Sequence, residues 1–419
     1  MHKMTLFGPF SQLLPLSGLP EKGPIADEEL QIEANAGILI QAGKVVSLGT
    51  FETLRTAYPL AEVQEIGREA VVIPGFVDAH THCCFAGNRA MDFAARNAGK
   101  SYLEIAERGG GIWRTVLDTR KATSEALEKL TLQHVQNFLT EGITTIEIKS
   151  GYGLSVVEEL KMLRTIRRVA EQTPSTVVST CLAAHTLPRD FSGSHDAYLK
   201  VLEEELYPFI FSENLAQRID IFVEKSAFPQ KTAKKHLQKA RQLGFAVCVH
   251  ADQFTTGGSE VAIQVGAISA DHLEASGTPE IAALARSNVV AVVLPGASMG
   301  LGEPFAPVRA LLDIGACVAI ASDFNPGSAP MGQLLLQAAV LATYQKISTA
   351  EIFAGLTFRA AKALSLPSVG KLAIGCMADF QAYPTKDYRE ILYHQGRMKP
   401  FAVWKAGQII NTEKNVSKT

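Results

Sequence analysis

Ile73-Pro74-Gly75-Phe76-Val77-Asp78-Ala79-His80-Thr81-His82 is an apolar run that ends in two histidines two residues apart. Side chains at i and i+2 of a strand share a face. His80 and His82 can therefore reach one point from one wall, as two imidazoles gripping a metal ion would. A histidine pair closing a buried strand, at the head of a long α/β pattern, is how a metal site is built into a barrel mouth. Taken alone, the tripeptide fits two polar residues in a surface turn better than a metal grip. The residues downstream decide between the two.

Beyond His82 the chain alternates short β-branched runs with longer helical patterns, the signature of parallel βα units. Strands are predicted at 76–82, 144–149, 176–184, 219–224, 246–250, 267–271, 289–294 and 317–322. Helical stretches lie between most of them. In 155–170, Ser155 stands as the cap with Glu158 at capping-box spacing, and Leu160, Leu163, Ile166 and Val169 form the apolar stripe. Segments 231–243 and 279–286 read the same way. The pattern predicts an α/β protein built on a (β/α)8 TIM-like barrel. The flanks differ: 38–40, 44–48 and 63–65, then 380–383, 400–404 and 408–410, are short strands. Ala42-Gly43-Lys44 and Lys405-Ala406-Gly407 supply turns. They predict a small composite β-sandwich drawn from both chain ends, with domains at 1–73, 74–364 and 365–419.

Composition narrows the function classes. With 419 residues, 47% hydrophobic and 20% charged, the chain reads as an ordinary globular protein. A net charge of −2 gives no footprint for nucleic acid or an anionic membrane. Apolar runs such as 288–294 stop far short of a membrane span. Pro9, Pro15, Gly18 and Pro20 interrupt the N-terminus, so no signal peptide is read. None of the six cysteines forms a Cys-x-x-Cys pair and most sit in strand-like runs. This predicts buried, reduced thiols and a cytoplasmic location. Cys83 and Cys84, beside the histidine pair, stand as minor candidates for soft metal ligands.

The polar residues fall at predicted strand ends, where barrel enzymes keep their active sites. His80 and His82 end strand one, His185 strand three, His250 strand five, His272 strand six and Asp323 strand eight. Histidine is only 10 of 419 residues, and histidines scattered through a core have no reason to gather there. A catalytic metal needs protein ligands and an open position for water. His80, His82 and His250 supply nitrogens and Asp323 a carboxylate. Bound water would have its pKa lowered from about 15.7 toward roughly 7, with Asp323 taking its proton. His272, one strand round from His250, is placed to polarise a carbonyl.

The motif Ile73 to His82 resembles the first strand of the amidohydrolase superfamily, and the flanking β-segments resemble its composite sandwich. Further motifs resemble the imidazolonepropionase family: Phe85-Ala86-Gly87-Asn88-Arg89, Gly99-Lys100-Ser101-Tyr102-Leu103-Glu104-Ile105, and Lys149-Ser150-Gly151-Tyr152-Gly153-Leu154. His250-Ala251-Asp252-Gln253 and Asp323-Phe324-Asn325-Pro326-Gly327-Ser328 extend the match over nearly the whole chain. The resemblance implies hydrolysis of the ring amide of 4-imidazolone-5-propanoate to N-formimidoyl-L-glutamate in histidine degradation. Metal-activated water would attack, with Asp323 as general base and His272 assisting. The substrate's propionate calls for a cation, which Arg89 supplies as a bidentate clamp. Tyr152 and His185 match substrate-contact positions, and Asn325, Gly327 and Ser328 resemble the loop that holds polar groups of the product. Gly109-Gly110-Gly111 reads as a loop over the barrel mouth.

Two positions depart from the family pattern. Gln253 stands where some members carry glutamate, so it is expected to bind substrate while proton transfer rests on Asp323 with His272. Asp92 is a shorter carboxylate than expected beside Arg89. Glu224 and Lys225, after strand four, leave room for a second metal, whereas the resemblance favours one ion, Zn2+ or Fe3+, with His272 unligated. The remaining expectations are a small-molecule substrate and a homodimer. The alternatives are another amidohydrolase, acting on a nucleobase or a different cyclic amide, and a barrel scaffold without catalysis.

Overall fold

The computed structural model describes residues 3–100, 104 and 109–410. Of the sequence motifs, Ser101, Tyr102, Leu103 and Ile105 lie outside the described residues.

Eight parallel strands form one sheet in strict chain order. They are β1 (Phe76–Asp78), β2 (Ile143–Lys149), β3 (Thr176–Ala184), β4 (Arg218–Val223), β5 (Ala246–Ala251), β6 (Ser269–His272), β7 (Val290–Val293) and β8 (Val318–Ile320). Helices cover the outside: Val156–Gln172, for example, starts where Ser155 Oγ accepts the Glu158 N–H. Val77, Ala79, Val290, Val292 and Ala319 face outward into an apolar layer with the helix Phe358–Ala363.

The barrel closes past the ends of β8 and β1. Lower down, Asp78 Oδ1 takes the Ser322 N–H at 3.0 Å, where a ladder bond would otherwise form. At the top, Thr81 and Phe324 form a parallel bridge. There the N–H of Asp323 donates to the His80 carbonyl (3.1 Å) and that of His82 to the Phe324 carbonyl (2.9 Å). The first strand is therefore shorter than the predicted 76–82. His80 to His82 stay extended because the closing seam holds them.

The second sheet has eight strands from both chain ends. Val71–Pro74 pairs with Thr5–Leu13 on one side and Phe380–Tyr383 on the other. The sheet bends over its own core, since Phe7 packs edge-on against both Phe380 (5.7 Å) and Trp404 (6.0 Å). The two Ala-Gly turns are each left-handed at both residues: φ is 51° and 76° at Ala42-Gly43, and 49° and 73° at Ala406-Gly407. That twist matches the flanking strands of a two-residue hairpin. All six cysteines are buried and free. No helix among the described residues is long and apolar enough to cross a membrane.

Candidate metal centre and substrate cavity

His80 and His82, two apart on extended backbone, bring their Nε2 atoms to 3.2 Å. His250, across the barrel on β5, brings its Nε2 to 3.3 Å from that of His82. Asp323 Oδ1 completes the cluster at 3.5 Å from His80 Nε2 and 3.4 Å from His82 Nε2. The chain positions these atoms by backbone strain as well as by sheet register. Asp323 (φ 52°), His272 (φ 89°) and Asp252 (φ 53°) are left-handed just where their strands end. Such strain persists where the surroundings over-determine it and clusters at functional sites.

The partner of the other ring nitrogen sets each tautomer. His80 Nδ1–H donates to Asp271 Oδ2 (2.7 Å), and His250 Nδ1 lies 2.9 Å from Asp220 Oδ2 as a close polar contact. That leaves His80 Nε2 as a lone pair, and the carboxylate beside His250 Nδ1 favours the same tautomer there. Burial, helped by the nearby Lys149 ammonium, holds His80 well below its ordinary pKa and His82 down at about 3. Burial holds His250 at about 4 against the pull of Asp220. Burial pushes Asp220 up, but His250 and Lys149 outweigh it and keep this carboxylate well below its usual range. Neutral nitrogens and a carboxylate oxygen converging with no proton between them repel unless a cation sits among them. The donor set fits a metal ion, and carboxylates behind the histidines are the usual support for one.

Two of the candidates have other partners. Cys84 Sγ points at the Met162 carbonyl (4.0 Å). Burial pushes the Cys84 thiol up to about 12 and Cys83 higher still. Neither joins a metal-holding group among the described residues. Glu224 accepts the N–H groups of Phe254 (3.1 Å) and Thr255 (3.0 Å) and the Thr255 hydroxyl, which ties down the Gln253 loop.

Beside the metal centre lies a cavity of about 550 Å³. Arg89, Tyr152, His185, Gln253, His272, Asn325, Gly327 and Ser328, each named from the sequence, line it together with His82, His250 and Asp323. Arg89 is held by Asp92, whose Oδ2 accepts both Arg89 Nε (2.7 Å) and the Gly111 N–H (2.8 Å). The glycine triplet thus meets the Arg89 helix through a carboxylate. A Cβ at position 327 would run into Arg89 Nη1, so glycine there gives the guanidinium its space. His185 stacks on His82 at 5.3 Å and gives its Nδ1–H to the Gly151 carbonyl (3.1 Å). Asn325 Nδ2 donates to Asp323 Oδ2 (2.9 Å), and Ser328 Oγ donates to the same oxygen (3.2 Å). Asn325 Oδ1 accepts the Gly327 and Ser328 N–H groups. Within this loop both side chains steady Asp323, with its Oδ1 left facing the histidines. Burial lowers His272, yet Glu274, Asp323 and Asp271 prevail and raise its pKa.

Several residues at the site were not singled out from sequence. Asp220, Asp271, Glu147, Lys149 and Arg218 lie inside the barrel, fully or nearly fully buried. The signal was a charge flanked by β-branched residues, as in Ile219-Asp220-Ile221, because a charge on a buried strand needs a partner. Glu159 was the other omission. Its carboxylate accepts the N–H groups of Gly151 (3.2 Å), Gly153 (2.8 Å) and Leu154 (2.8 Å), fixing the loop that carries Tyr152. Arg96 and Lys100 also line the cavity.

Residues 71–412 match the amidohydrolase family model. The imidazolonepropionase of Bdellovibrio bacteriovorus is 38% identical over 415 residues, covering 97% of this chain and 96% of that protein. The chain belongs to the imidazolonepropionase family. The imidazolonepropionase of an Acinetobacter baumannii strain is 42% identical over 342 residues, 81% of this chain and 85% of its own. Among solved structures, E. coli guanine deaminase superposes with a TM-score of 0.76 at 14% identity, covering 98% of this chain and 99% of that one. An adenosine deaminase from Xanthomonas campestris, solved with bound zinc, gives 0.71 at 18% identity, covering 97% and 92%. These likenesses establish the shared fold, whereas the sequence relatives establish the family.

Proposed function

We propose that this enzyme hydrolyses the ring amide of 4-imidazolone-5-propanoate to N-formimidoyl-L-glutamate, using one metal ion held by His80, His82, His250 and Asp323. The observation that carries the reading is the Arg89 guanidinium on the wall of a cavity that also opens onto the metal centre. A neutral nucleobase would have no use for that charge, whereas a propionate does. Glu224 commits its carboxylate to the Gln253 loop, which favours a single ion. Three imidazoles and a carboxylate suit zinc or iron. The metal would supply a Lewis acid and a water acidic enough to react near neutral pH.

The chain's own groups do the rest. Arg89 binds the propionate, and Tyr152, His185 and Gln253 orient the ring. Asp323 takes the proton of the attacking water as its oxygen bonds to the ring carbonyl carbon. His272 donates a hydrogen bond to the carbonyl oxygen as negative charge builds there. Asp323 then returns the proton to the ring nitrogen, the C–N bond breaks, and the former carbonyl carbon becomes a carboxylate. Asn325 and Ser328 hold Asp323 in place throughout. Six buried free thiols accord with a reducing compartment such as the cytoplasm.

The test is to add 4-imidazolone-5-propanoate to the metal-replete protein and monitor loss of the ring's ultraviolet absorbance. Catalysed decay with formation of N-formimidoyl-glutamate is expected. A protein that holds its metal and leaves the substrate intact would overturn the reading.

A further inference from the structure

The mechanism makes no use of Lys149, yet this cation is fully buried on β2 at the floor of the metal centre. Its Nζ lies 2.8 Å from Asp220 Oδ2 and 3.6 Å from Asp271 Oδ2. Those are the same two oxygens that stand 2.9 Å from His250 Nδ1 and accept Nδ1–H from His80. One ammonium therefore sits behind both carboxylates that back two metal-holding histidines, on strands from different sides of the barrel. Glu147, 2.8 Å away, anchors Lys149 from its own strand.

We infer that Lys149 is a positioning residue for the metal centre: its ammonium holds the Asp220 and Asp271 carboxylates in place behind His250 and His80, so that both rings keep the orientation that turns Nε2 toward the ion. The inference rests on the proposed metal site. The contact matters because both carboxylates are buried, and removing one partner of a buried ion pair leaves the other without what holds it in place. A carboxylate free to turn away no longer fixes the ring in front of it, and that ring can flip or change tautomer. Arg218 provides an internal contrast. It is buried in the same interior and lies 3.7 Å from Glu147 Oε1, so its ion pair is with that carboxylate and not with Asp220 or Asp271.

The experiment compares wild type, Lys149→Met, Lys149→Arg and Arg218→Met as full-length, metal-free proteins. Zinc affinity is read by competition with a chromophoric chelator, and the His80 and His250 tautomers by 15N chemical shifts. Lys149→Met is expected to bind zinc about 10–100-fold more weakly and to lose the uniform Nδ1–H signature. Lys149→Arg should recover part of the affinity, and Arg218→Met should lose thermal stability while keeping zinc affinity within about threefold. If Lys149→Met does not fold, Lys149→Gln is read in its place. Unchanged zinc affinity and tautomers in the neutral variant would overturn the role of Lys149. So would failure of both neutral variants to fold while Arg218→Met folds, since Lys149 would then serve the barrel's assembly. A wild-type protein that binds no zinc or iron would instead remove the metal site itself.

Discussion

Asp323 and His80 meet twice: the Asp323 N–H donates to the His80 carbonyl at 3.1 Å, and Asp323 Oδ1 stands 3.5 Å from His80 Nε2. The first contact closes the barrel and the second completes the metal centre. Last and first strands are thus joined at the point where the chemistry takes place. A side chain at 323 can be altered without touching the seam, because the seam is backbone.

Asp323→Asn should therefore fold and retain metal while losing turnover. An amide keeps much of the Asn325 and Ser328 contact geometry but cannot accept the water's proton. Loss of a general base costs about 10²–10⁴-fold, and kcat is expected to fall at least that far, with the melting temperature little changed. Metal content and kcat measured on the same sample check this. Near-normal kcat in a metal-loaded variant removes Asp323 from the proton path.

Arg89→Ala should act on substrate use and leave metal binding alone. Truncating one partner of a largely buried charge pair costs about 2–5 kcal/mol, so kcat/KM should fall by roughly 30-fold or more. Gly327→Ala tests the same clamp from the other side, since its Cβ would intrude on Arg89 Nη1. It should raise KM more than it lowers kcat. Equal kcat/KM in wild type and Arg89→Ala excludes the clamp.

Much of this was legible in the sequence, for an identifiable reason. His80, His82, His250, His272 and Asp323 each come after apolar strand residues, so period-two patterning alone sends them to one end of a parallel barrel. The second layer was not legible in the same way. Asp220 and Asp271 are charges inside strands, and only the strand order shows that they lie behind His250 and His80. The extent of β1 was misjudged because pattern cannot tell ladder pairing from a two-residue closing seam. Asn325 and Ser328 lie at the expected place, but their donors turn toward Asp323, a local turn geometry that composition does not reveal.

The junction between barrel and small domain offers a stability test away from the chemistry. Gly142 has φ 87°, and a Cβ there would collide with the Gln381 side-chain amide, which donates to the Pro74 carbonyl at 3.1 Å. Gly142→Ala combines a left-handed alanine, about 1 kcal/mol or more, with that steric conflict. Thermal melting should drop by several degrees while KM stays the same. An unchanged melting temperature would mean that Gln381 moves aside freely.

Glu159→Gln probes how the Tyr152 loop is held. Three backbone N–H groups converge on the Glu159 carboxylate, which is fully buried. Hydrogen bonds to an ionised acceptor are worth about 1.5–3 kcal/mol each, against roughly 0.5–1.5 for neutral ones. The amide nitrogen must replace one of the two oxygens, so it meets either the Gly151 N–H or the N–H pair of Gly153 and Leu154. The loop should then loosen, and with it both Tyr152 and the Gly151 carbonyl that orients His185 (3.1 Å). KM is expected to rise and metal affinity to remain, because His80, His82 and His250 do not depend on this loop. Kinetics with parallel metal titration separate the outcomes: a fall in metal affinity as large as the rise in KM would show that Glu159 supports the whole barrel mouth and not the substrate wall alone.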